Sequence, residues 1–192
     1  MIRTKKYVVK LIEVDVDSIT KTHDFPFAVR GKQAVLGVLD GDWDLMTKEF
    51  THTQLFTSIE MRIRYQANWA DTPFYQKQQT KIISGKKAEN NCRSLSDLNA
   101  HCASIDALHQ DMTHNGYRIQ YNEQSNRKIQ GVSIPDEIRI AIGRDGQLIR
   151  CASGRHRLAV AKILGIAKIP AIVQIEHKNW DGALDIIKRL ET

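Results

Sequence analysis

Ser153, Gly154, Arg155, His156 and Arg157 stand where a strand pattern passes into a helix pattern, and together they could hold an anion. The first N–H groups of a helix have no internal acceptor, and the aligned peptide dipoles add about half a positive charge there. A phosphate is the natural ligand of such a start, and Gly154 would let its oxygens approach the backbone closely. Arg155 and Arg157 are two positions apart, about 200° around a regular helix, so both cannot face one phosphate. The spacing assigns Arg155 and His156 to the phosphate and Arg157 to a carboxylate elsewhere, such as one in Asp40 to Asp44. Two cations in a first turn oppose the helix dipole by roughly 0.3 to 1 kcal/mol each, a cost that a bound anion would offset.

The second candidate is Asp40-Gly41-Asp42-Trp43-Asp44, three carboxylates in five residues. Such density is self-repelling without a neighbouring cation. Asp42 and Asp44 are expected to ligate Mg²⁺ or to act as a catalytic base, since hard oxygen donors suit an ion that also bridges phosphates. The alternative is a solvated turn anchored by a buried Trp43. Trp69 and Phe74 could stack on a base, or plug a core beside a turn. Cys92, Cys102 and Cys151 show no C-x-x-C spacing, and the seven histidines include no H-x-x-x-H pair, so a His/Cys metal cage is not expected.

The formal net charge of +6 is unevenly distributed. Between Arg139 and Lys168 lie seven cations and one acid, while cations and acids balance over the remaining chain. This favours one anionic ligand over a general polyanion coat, with a solvated basic face as the alternative. No apolar run reaches the roughly 20 residues that span a bilayer, and the opening MIRTKKYVVK is too charged for a signal peptide. A cytoplasmic protein without a membrane partner is expected.

The elements that must position these residues read as α+β. Tyr7 to Val16 and Gln33 to Leu39 are β-rich, with Val9, Leu11 and Val14 expected inward. Leu55, Ile59 and Ile63 mark a helix within Phe50 to Gln66, Thr72 or Asp71 can cap a helix beginning at Pro73, and Leu95 to Met112 forms a long stripe from a Ser94 cap to Gly116. Tyr117 to Gln130 suggests an edge strand and loop. Glu137 to Ile142, a two-residue Asp145-Gly146 turn and Gln147 to Cys151 form a hairpin. A helix then runs from Gly154 to a stop at Gly165, followed by a strand over Pro170 to Ile175 and a closing helix over Gly182 to Leu190. One domain, 1–192, is expected, a small mixed sheet with a mainly helical insertion at 50–116 and its motif-bearing core at 131–176.

The hairpin followed by GRHRLAVAKILGIAKIPAIV is similar to the ParB/sulfiredoxin-like superfamily, through Gly154, Arg157, Ala159, Ala161, Leu164, Gly165, Ile169 and Pro170. The resemblance covers Ile138 to Ile175 best. It implies a nucleoside triphosphate, ATP or CTP, held by Ser153 to Arg157, with Mg²⁺ and either phosphoryl transfer or nucleotide hydrolysis. A non-catalytic DNA- or nucleotide-binding regulatory module is the alternative. Arg155 occupies the place of the sulfiredoxin catalytic cysteine, which argues against reductase chemistry. Ser153 replaces the acid that precedes the motif glycine in the free serine kinases.

Overall fold

The alternation in KLIEVD forms β1 (Lys10–Asp15) in the computed structural model, which describes residues 10–23, 35–119, 127–129, 132–134, 136–182 and 188–189. Its inward face is Ile12 and Val14, both 1% exposed, continued by Val16. Leu11 lies on the opposite parity and is only half-buried, which corrects its expected inward placement, and Val9 is outside the described residues.

The chain divides into two compact units. The first takes residues 1–50, 119–155 and 167–192. Its strands are β1, β2 (Lys21–Thr22), β3 (Gly37–Leu39), β4 (Lys48–Glu49), β5 (Arg127–Ile129), β6 (Val132–Ile134), β7 (Ile138–Ile142), β8 (Leu148–Arg150), β9 (Lys168–His177) and β10 (Lys188–Arg189). Seven form a mixed sheet in the order β10-β1-β9-β7-β8-β2-β4, β3 adds itself parallel to the end of β9, and β5 and β6 make a separate antiparallel pair. The centre is β7 and β9, parallel neighbours, and every residue of β7 is buried, as expected of a strand covered on both faces. Lys188–Arg189 is strand paired with β1, so that part of the expected closing helix is corrected, and 183–187 lie outside the described residues.

The β7–β8 connection differs from the expected two-residue turn. Gly146 N–H donates to the Gly143 carbonyl and Gly143 N–H to the Gln147 carbonyl, enclosing a three-residue loop in which Gly146, not Asp145, takes positive φ (79°). A turn followed by a left-handed glycine keeps the strands in register with their twist.

The second unit takes residues 51–118 and 156–166. Thr53 caps α1 (Gln54–Tyr65), Thr72 caps α2 (Pro73–Ile83), and a reciprocal Ser94–Asp97 box starts α3 (Leu95–Asn115). The fourth helix, α4 (Arg155–Leu164), buries Leu158, Ala159, Val160 and Ala161. It stops at Gly165 (φ 69°), with Ile166 N–H bonded back to the Ala161 carbonyl. No helix among the described residues is long and apolar enough to cross a membrane.

Candidate functional site

The start of α4 is shaped by one close fit. Gly154 has φ 83°, and a Cβ there would lie 2.5 Å from Ile138 Cγ1 and 2.7 Å from Ile138 Cα. Ser153 Oγ donates to the Glu137 carbonyl at 2.7 Å, and Arg139 N–H reaches the Ser153 carbonyl at 3.4 Å. The backbone is thus pinned to the beginning of β7 just before its N–H groups become free of helical partners. No acid occupies the first turn.

The basic segment is not one surface patch. Arg139 is 1% exposed, and Arg150, also buried, gives its Nε to Thr22 Oγ1 and its Nη1 to the Ala152 carbonyl. Arg144 engages Asp42 and Asp44, and Lys168 pairs with Glu13 at 3.3 Å. The cations on α4 itself are Arg155, Arg157 and Lys162, all half-buried.

The cation that the Asp40 to Asp44 run requires is therefore Arg144, in place of the expected Arg157. Asp44 is buried and accepts from Arg144 N–H at 2.9 Å and from its guanidinium at 2.8 to 3.2 Å, while Asp42 accepts at 2.7 Å. Burial alone would raise the Asp44 carboxyl, but the side-chain and backbone hydrogen bonds from Arg144 outweigh it and hold the carboxyl below its usual range. Asp40 is lowered by its hydrogen bond from Lys178 Nζ. Trp43 is buried as expected, in a cluster with Ala141, Ile149, Cys151 and Ile175.

Arg144 sits in the turn of the β7–β8 hairpin, whereas Gly154 packs at its open end against Ile138. Five residues of strand separate these ends, roughly 16 Å. The structure accordingly does not bring Asp42 and Asp44 to the start of α4. The base-stacking candidates are also otherwise engaged: Phe74 is 3% exposed, and the half-buried Trp69 donates its Nε1–H to Asp106 at 3.1 Å, where Arg62 makes a second pair. A base could reach Phe74 only by opening the core.

His156 takes part in a group that sequence spacing did not reveal. Within the second unit, side-chain atoms of Glu89, His101 and His156 converge to within 4.8 Å of one another. Glu89 Oε1 lies 3.3 Å from His156 Nε2 and 3.9 Å from His101 Nε2, and the two imidazoles meet edge to face with centroids 5.1 Å apart. Glu89 and His101 side chains are 10% and 8% exposed. Glu89 comes from a tight 3-10 turn (Glu89–Asn91), His101 from α3 and His156 from the first turn of α4. Asn90 and Asn91 both take positive φ, 52° and 66°, a conformation asparagine tolerates better than most residues. The buried Gln78 side chain accepts from Glu89 N–H at 3.1 Å and fixes that turn to α2. Behind the site, the Asn90 side-chain amide lies 3.1 Å from His101 Nδ1, and the Phe74 ring flanks His101 at 6.2 Å. Separations of 12 and 55 residues leave no local motif, so only the fold assembles this group.

The buried cysteines are not part of it. Burial pushes the Cys102 and Cys151 thiols up to about 12, in Cys151 against the opposing charges of Arg150 and Arg139. Compared with protein-family models, with curated proteins and with solved structures, the chain gives no match.

Proposed function

We propose that the protein binds a nucleoside triphosphate, ATP or CTP, through the start of α4. The observation that carries this reading is the left-handed Gly154 fitted against Ile138, which sets the backbone leading into Arg155 at the start of a helix whose own first turn contains no acidic residue. The resemblance to ParB/sulfiredoxin-like proteins supports a nucleotide over a simple anion. Binding rather than turnover is proposed, because Asp42 and Asp44, the expected catalytic and Mg²⁺-holding pair, are bonded to Arg144 at the far end of the hairpin. Mg²⁺ would enter as the partner of the triphosphate.

The test is thermal unfolding of the chain with CTP, ATP, GTP or UTP, with and without Mg²⁺, repeated on Arg155→Ala. A ligand at about 100 times its Kd adds roughly 2.7 kcal/mol, a readily measured rise that the variant should lose. No shift with any nucleotide overturns the reading. Capture of DNA instead, weakening steeply with salt, would favour the regulatory module.

A further inference from the structure

We infer that Glu89, His101 and His156 form a zinc site, an inference that does not rest on nucleotide binding. Two imidazoles and a carboxylate are a donor set that zinc takes with three protein ligands, leaving one position for water or an exogenous anion. At Zn–N and Zn–O distances of about 2.0 to 2.1 Å, tetrahedral ligand atoms stand roughly 3.3 Å apart. The Glu89 Oε1 to His156 Nε2 separation is 3.3 Å, that to His101 Nε2 is 3.9 Å, and all three ligand atoms lie within 4.8 Å of one another, so modest side-chain movement brings them to ligand spacing. His156 Nε2, shielded from solvent, makes no hydrogen bond with the described residues, so the contact with Glu89 is close without being a formed hydrogen bond.

The surroundings supply the outer support such a ligand set needs. Asn90 meets His101 Nδ1 through its amide Nδ2 at 3.1 Å; a half-turn of that amide, which exchanges its nitrogen and oxygen, would let it accept from Nδ1–H in the tautomer that leaves the Nε2 lone pair for the metal. Gln78 holds the Glu89 backbone, and the left-handed Asn90 and Asn91 turn the chain so that residue 89 points inward while Asn90 reaches the ring. The three ligands arrive from separate elements, so occupancy would tie the Glu89–Asn91 turn, α3 and α4 together within the second unit. Hard ions such as Mg²⁺ and Ca²⁺ prefer all-oxygen surroundings and are excluded by the two nitrogens.

The experiment strips the full chain with EDTA and titrates Zn²⁺ against a competing chromophore, with Co²⁺ as a spectroscopic substitute. One equivalent should bind, and Co²⁺ should give the visible bands of a four-coordinate site. Asn90→Ala should weaken affinity roughly 10- to 100-fold, and His156→Ala or His101→Ala by more. His109→Ala, half-buried on α3, and His114→Ala, exposed near its end, should leave it unchanged, since neither belongs to the ligand group. Should the ligand variants fail to fold, X-ray absorption on the zinc-loaded wild type reads the site directly: two imidazoles with oxygen and no sulfur are expected. Sulfur scattering, which would implicate Cys92 or Cys102, overturns the inference, as does zinc binding that survives His156→Ala or absence of a tight equivalent in the wild type. Arg155→Ala should abolish the nucleotide shift and retain zinc, so each reading can fail alone.

Discussion

Gly154→Ala tests how the start of α4 is built. Two costs act together. An L-residue held in the left-handed region loses roughly 1 to 2 kcal/mol, and the new methyl would lie 2.5 Å from Ile138 Cγ1 and 2.7 Å from Ile138 Cα. The second contact is with backbone, so no rotamer of Ile138 relieves it, and overpacking of this kind costs roughly 1 to 3 kcal/mol. The expected loss is therefore about 2 to 5 kcal/mol. Gly182 supplies the control: it lies in the same unit with φ 80°, against 83° for Gly154, but nothing stands within 4 Å of its missing Cβ. Gly182→Ala should show the conformational cost alone, about 1 to 2 kcal/mol. Urea unfolding followed by the intrinsic fluorescence of Trp43, Trp69 and Trp180 measures both, read as midpoint shifts at constant m. Equal losses in the two variants would refute the close fit of Gly154 on Ile138 and, with it, the geometry offered for the anion.

Two further outcomes follow from groups away from that helix. Asp44→Asn should cost about 1.5 to 3 kcal/mol at neutral pH, because hydrogen bonds between the buried carboxylate and Arg144 are charge-assisted. Since the folded carboxyl lies below its ordinary value of 3.8, that stability is whole above this value and is lost as pH falls through the folded-state value. The wild-type advantage over Asp44→Asn in urea should accordingly shrink in acid; a constant gap would contradict the pairing. Buried thiols raised by desolvation should resist iodoacetamide at pH 8, so mass spectrometry should find Cys92, Cys102 and Cys151 unmodified in the native chain and all three alkylated in urea.

Local chemistry made much of the fold legible. Thr72-Pro73, Ser94 and Gly165 are short-range start and stop devices, and each acts at the position its residue type implies. Contiguous charge was less informative, because a run of cations in sequence does not state which face each strand residue takes. Arg139 and Arg150 turn inward, and Arg144 meets Asp44 across 100 residues. The acid run demanded a cation, but the hairpin geometry chose which one. Glu89 was hidden in a polar loop and His101 on an unremarkable helix, since convergence from the 89–91 turn, α3 and α4 leaves no periodicity to read.

The position of β9 imposes an order on how the first unit can form during synthesis. β9 pairs with β1, β7 and β3, yet Lys10 must wait for Val173, its partner, until nearly all intervening chain has been made. The second unit's 51–118 segment emerges inside that interval. Such distant pairing carries a large loop-closure cost and slows folding. On the ribosome, β1 therefore spends most of elongation as an apolar strand without its native neighbour, and the sheet is completed late, by residues 168–177 and then by β10.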